Sequence, residues 1–199
     1  MQAINYLNPT DPRPVHETAY DPGLVFNALT VYELPFGKGR QFGGSWHGPL
    51  NWFLGEWQVS GTFRTQRGYP AALTDLRLAP GKTLRDLNGQ RDPVNFFNVA
   101  ALNTNTDEQP ASNHLRTLPT EVSYLRGPGF WVTDGAISKK VTIRERIKGE
   151  FRFESYNAAN HTNNWPYMVI SSADPYGAQV NRRFNGLPRT FELSLRTTF

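Results

Sequence analysis

Three stretches of this chain alternate residue by residue between two chemically opposed faces, and neither face suits a buried core. From Trp57 to Gln66, Trp57, Val59, Gly61, Phe63 and Thr65 share one side, while Gln58, Ser60, Thr62, Arg64 and Gln66 share the other. In "IKGEFRFESY", Ile147, Gly149, Phe151, Phe153 and Ser155 oppose Lys148, Glu150, Arg152, Glu154 and Tyr156. In the terminal "RTFELSLRTTF", Phe191, Leu193, Leu195, Thr197 and Phe199 oppose Thr190, Glu192, Ser194, Arg196 and Thr198. A period of two is that of a β-strand, whose successive side chains point to opposite faces. Faces of Gln, Arg, Glu and Lys are too wet for the inside of a small soluble barrel, and faces of Phe, Leu and Trp are too greasy for water. Apolar outward and polar inward is the pattern of strands that cross an outer membrane as a barrel.

Two further segments are less regular. In "LVFNALTVYEL", Phe26, Ala28, Thr30 and Tyr32 fall together, but Leu29 and Val31 land on the polar face. In "FWVTDGAISKKVTI", Trp131, Thr133, Ile137, Val141 and Ile143 oppose Asp134, Ser138 and Lys140, while Lys139 lands on the apolar side. Either Lys139 snorkels to an interface or a bulge shifts the register. The expected strands are therefore about 24–34, 55–66, 130–143, 147–157 and 189–199. Each is close to the ~9–11 residues that a tilted membrane-spanning strand needs. No stretch shows a helical period, and no apolar run exceeds four residues, so no helix here is expected to cross a membrane.

Connection lengths test the scheme independently. The stretch 67–129 is long, 144–146 is short, and 158–188 is long again. Such alternation separates an extracellular side from a periplasmic one. The two long stretches then read as extracellular loops, with short structure of their own expected in 67–129. The first connection, Pro35 to about Leu54, belongs on the periplasmic side and is long for that place. Tyr32, Trp57 and Phe199 sit at the lower interface and Trp131 at the upper, as in two aromatic girdles. Residues 1–20 read as an irregular N-terminal segment, and 21–199 as a partial barrel.

Composition agrees. Aromatics make up 13% and charged residues 19%, against roughly 25% in soluble domains. The net charge of +4 is mild and its basic residues are scattered, which argues against a nucleic-acid partner. Without cysteine there are no disulfides, Cys-based zinc sites or thiol nucleophiles. The opening "MQAINYLNPTDPRP" has no basic region followed by an apolar core, so a signal peptide is not expected in this chain.

Four stretches occur in a telling order: "VYELPFGKGRQFGG", "GEWQVSGTFRTQRGYPAALT", "FRFESYNAANHTNNW" and "FELSLRTTF". Over roughly 21–199 the chain resembles the C-terminal end of the barrel in Oar-like TonB-dependent outer-membrane receptors, the group with a carboxypeptidase-regulatory-like domain. The resemblance is most specific at "ELPFGKG" and at "YNAANHTN", where the family has Phe-Asn-x-x-Asn-His-Thr/Pro-Asn and this chain begins with Tyr156. It implies an all-β antiparallel meander, part of a 22-strand barrel in the outer membrane of a Gram-negative bacterium. It also implies partners: outer-membrane lipid, the barrel-assembly machinery, the rest of the barrel and its plug, and the TonB system. The implied function is import of a large nutrient. In the family the last strand resembles an address label for assembly, which here would be Phe199, Leu195, Leu193 and Phe191, with Thr197 replacing an aromatic. Five strands leave two open edges, so the expectation is a C-terminal fragment or a part completed by other chains.

Other constellations read blandly. His16, His47, His114 and His161 are too dispersed for a metal site. "GKGRQFGG" lacks the phosphate-loop pattern and reads as a turn, and "ANHTNNW" reads as Asn side chains satisfying a loop entry. Glu150, Arg152 and Glu154 read as a solvated ladder facing a lumen, with Glu192 and Arg196 pairing across it, rather than as paired glycosidase carboxylates. No catalytic residue, metal or cofactor is expected, and the chain does not read as an enzyme. The alternative is a soluble or surface-attached carbohydrate-binding β-sandwich with Trp46, Trp52 and Trp165 as stacking platforms.

Overall fold

The computed structural model describes residues 20–89, 96–111, 118–144, 147–171 and 187–198. Its elements are β1 (Val25–Glu33), α1 (Pro49–Leu54), β2 (Trp57–Gln66), β3 (Pro70–Leu73), β4 (Glu121–Arg126), β5 (Phe130–Arg144), β6 (Ile147–Tyr156), β7 (Val169–Ile170) and β8 (Thr190–Thr198), with three 3-10 turns. Strands β1, β2, β5, β6 and β8 are the five expected from the alternation, displaced at their ends by at most two residues. They form one open antiparallel sheet in chain order, with β1 and β8 as free edges. The chain divides into two units, one holding this sheet (Phe26–Thr65, Trp131–Thr162, Gly186–Phe199) and one holding the long connections (Met1–Val25, Gln66–Phe130, Asn163–Asn185).

In the sheet unit, β5 and β6 pair so that Ile137 faces Phe153 and Lys139 faces Phe151. Strand β6 then pairs with β8, Phe153 facing Leu193 and Phe151 facing Leu195. Two rows, apolar except for Lys139, thus run across three strands. Among the described residues no second layer covers their apolar side chains: Phe151, Phe153, Leu193 and Leu195 are 37%, 38%, 66% and 76% exposed. What the three strands do bury among their described residues is small or polar, namely Ala136, Ser138, Lys139 and Gly149. A sandwich would invert this order, because its two sheets meet through their greasy faces.

The unit of long connections carries the apolar core of the described residues. Leu73, Leu76, Leu87, Phe97, Leu125 and Ile170 are at its centre. A three-stranded sheet ordered β4-β3-β7 runs through it, β3 antiparallel to β4 and parallel to β7. The first long connection therefore holds more structure than an extended loop. Strands of four and two residues are too short to display a period, which is why their pattern is invisible in the sequence.

Two devices tie this unit together. The Arg126 guanidinium donates to the carbonyls of Asp21 at 2.8 Å and Gly68 at 3.1 Å. Its Nε donates to the Ser123 carbonyl at 2.8 Å. Next to it the backbones of Gly68, Gly127 and Pro166 approach so closely that no Cβ fits on either glycine. Tyr69 donates to the Pro166 carbonyl at 3.2 Å and Gly127 donates to the Tyr69 carbonyl at 2.9 Å, so the close approach aligns three segments. The 3-10 turns are capped by side chains. Backbone and hydroxyl donors of Thr83 hold the Asp86 carboxyl below its ordinary 3.8, and Asn103 and Asn105 hold Glu108 below 4.5.

Candidate functional site

The polar side of the five-strand sheet is a shallow groove of about 400 Å³. Gln58, Ser60 and Thr62 of β2, Asp134 and Ser138 of β5, and Arg152, Glu154 and Tyr156 of β6 line it. All come from the faces that the alternation marks as polar. Leu29 and Val31 of β1 line it too, so β1 is apolar on both sides. Phe26 lies 6.3 Å from Phe63, ring to ring, on the opposite side, which keeps the parity of β1 as the sequence has it.

Strand register arranges the charges of this face in rows. Lys140 stands opposite Glu150, which stands opposite Arg196. Ser138, Arg152 and Ser194 form the next row, and Ala136, Glu154 and Glu192 the one after. Glu154 and Glu192 are like charges on directly opposed positions, an unfavourable pair. Arg152 offsets it through an ion pair to Glu154 at 2.8 Å, within the strand rather than across it. Further along, Asp134 accepts from the Thr62 hydroxyl at 3.4 Å and from the Asn157 backbone at 2.8 Å. Asp134, Thr62 and Tyr156 were not singled out from the sequence, although their positions on polar faces were legible.

The Glu150–Arg196 opposition carries a prediction. Arg196→Glu places a like charge across from Glu150 and is expected to cost about 0.5–1 kcal/mol. Glu150→Arg in the same chain should recover most of it, read as the coupling energy of a double-mutant cycle in denaturant titration. An additive pair of substitutions would refute the opposition.

The turn after β6 places "YNAANHTN". Asn157 and Asn160 take left-handed backbone, φ 47° and 52°, which Asn tolerates better than most residues. The Asn157 amide donates to the carbonyls of His161 at 3.0 Å and Leu187 at 3.2 Å, and its oxygen accepts from the His161 backbone at 3.0 Å. The Asn160 side chain accepts from Arg189 at 3.3 Å. These contacts bind the turn to the start of β8. The His161 ring lies stacked on Trp131, centroids 4.1 Å apart. Among the described residues no cluster of three or more His, Asp or Glu could hold a metal ion.

On the opposite, apolar side, Lys139 does not force a bulge. The register stays regular through it and shifts only between Thr142 and Arg144. Its buried ammonium donates to the Gly55 carbonyl and lies 5.0 Å from the Trp57 ring centre. Rings continue along the face, Trp57 with Phe151 at 6.3 Å and Phe153 with Phe191 at 5.5 Å. Phe191, Leu193 and Leu195 are exposed here. Phe199, His16 and His114 lie outside the described residues.

An uncovered greasy face and a charged opposite face are the two walls of a membrane β-barrel strand. Neither the curated proteins nor the solved structures contain a match to the chain. The family described as outer membrane beta barrel domain matches residues 3–189, nearly the whole length. An outer-membrane location is consistent with that match, and the chain belongs to the outer membrane beta-barrel domain family.

Proposed function

We propose that this chain forms the C-terminal part of the barrel of a TonB-dependent receptor, and that the barrel serves uptake of a large nutrient. The observation that carries the reading is the division of one open sheet into a bare apolar face and a groove of Gln58, Ser60, Thr62, Arg152 and Glu154. A wide lumen needs a wet wall, and five strands supply only a sector of it. The "ELPFGKG" connection and the "YNAANHTN" turn point to the Oar-like group in particular. The chain acts in this reading as wall and scaffold, with no chemistry of its own, no cofactor and no nucleic-acid partner. Leu193, Leu195 and Phe191, with Phe199, present the edge strand to the assembly machinery through backbone pairing.

The free edge of β1 supplies the test. A cysteine at Ala28, crosslinked in isolated outer membranes, is expected to capture a strand from a polypeptide that also carries a plug and a TonB-contacting segment. Capture of a second copy of this chain, or of no strand, would overturn the receptor reading. The carbohydrate-binding sandwich has less behind it: Trp52 packs edge-on against Phe53 at 4.6 Å, and Phe151, Phe153, Leu193 and Leu195, which a sandwich would bury, are exposed.

A further inference from the structure

The β1–β2 connection is too ordered and too greasy to be a simple turn. Phe36 and Phe42 pair as a bridge, and their rings lie 5.6 Å apart. The Asn51 side chain accepts from the Lys38 backbone at 2.6 Å. The Trp57 indole donates to the Phe53 carbonyl at 2.8 Å, which ties the end of α1 to the start of β2. These bonds fix the connection, yet none of the six α1 residues is buried. Phe36, Phe42, Leu50, Trp52, Phe53 and Leu54 are all exposed. A hydrogen-bonded loop with six large exposed apolar side chains points to a nonaqueous neighbour.

Lys139 indicates which neighbour. Its stem lies on the apolar face of the sheet, and an ammonium on such a face reaches for the nearest polar level. The acceptor it finds is the carbonyl of Gly55, the residue directly after α1. On the membrane-spanning reading of the sheet, that carbonyl is the polar acceptor at the edge of the apolar face, and α1 ends beside it. Trp57, one residue past Glu56, continues the surface onto the apolar face of β2. No charged residue interrupts "PLNWFL".

We propose that the β1–β2 connection, α1 foremost, seats in the headgroup–acyl boundary of the bilayer and anchors this end of the sheet. The site extends the lipid-facing surface rather than binding another protein. It rests on the membrane-spanning reading of the sheet, and the test separates the two.

The chain has no cysteine, so one introduced thiol is a unique label on it. Phe53→Cys and, as a second position should folding fail, Leu50→Cys carry a fluorophore; Leu195→Cys reports on the sheet face. The full protein is reconstituted, with everything that co-purifies, into phosphatidylethanolamine–phosphatidylglycerol vesicles containing lipids brominated at shallow or deep acyl positions. At position 53, shallow bromines should quench at least about twofold more than deep ones and more than aqueous iodide. Lipid quenching at 195 with iodide quenching at 53 would overturn the anchor alone. Shielding of 53 from both quenchers would overturn it in favour of a protein neighbour. Absence of lipid quenching at 195 would overturn the membrane reading on which it rests.

Discussion

Phe153→Arg is expected to destabilise the folded protein in the membrane by several kcal/mol, whereas the same charge one residue earlier, at Arg152, is native. Phe153 sits in the middle of β6 between Ile137 and Leu193, on the uncovered apolar face. If hydrocarbon lies against that face, an arginine near its midplane costs about 2–4 kcal/mol. That is a factor of about 30 to 700 in the folding equilibrium constant. Heat-modifiable migration in gels, followed through a urea titration, measures it. In a water-facing sheet the substitution would replace a half-exposed Phe by a well-solvated cation and change little. An unfolding midpoint equal to that of the parent would therefore dismiss the lipid-facing assignment. Arg152→Phe, on the groove side, should leave folding less affected and alter the groove instead.

The second large effect is expected at Gly68, in the unit of long connections. A Cβ there would overlap the Gly127 carbonyl, which is backbone and has no side-chain rotamer to escape into. The neighbouring segment must move, and with it the Gly68 carbonyl that accepts from Arg126 at 3.1 Å. Overpacking costs about 1–3 kcal/mol. Losing a hydrogen bond to a charged donor adds about 1.5–3 kcal/mol. Gly68→Ala should thus accelerate hydrogen exchange in β3 and β4 by at least about a hundredfold, on the order of 3 kcal/mol. Strands β6 and β8, whose pairing involves none of these groups, should exchange as before. Unchanged protection of β3 would mean the backbone can relax around the methyl group.

The alternation at Trp57–Gln66, Ile147–Tyr156 and Thr190–Thr198 was enough to locate the long strands and assign their faces. The reason is local: a strand's side chains point by parity, and parity is written in adjacent residues. The groove side chains Ser60, Thr62 and Asp134 were legible in that sense, though only as polar positions. Their convergence depends on neighbouring strands, so Asp134 could not be matched to Thr62 beforehand. The helix α1 escaped notice because one and a half turns, with Leu50, Trp52, Phe53 and Leu54 facing several ways, produce no period.

By itself, the sequence determined that five strands exist, which side chains each presents together, and that one set is unfit for water. Tertiary structure alone decided that Glu150 meets Arg196 while Glu154 meets Glu192, that Lys139 reaches Gly55, and that the long connections enclose a core of their own. Register, snorkelling partners and a loop-built core join residues far apart in the chain. Their free energies come from which surfaces meet, and no local window of sequence contains both surfaces.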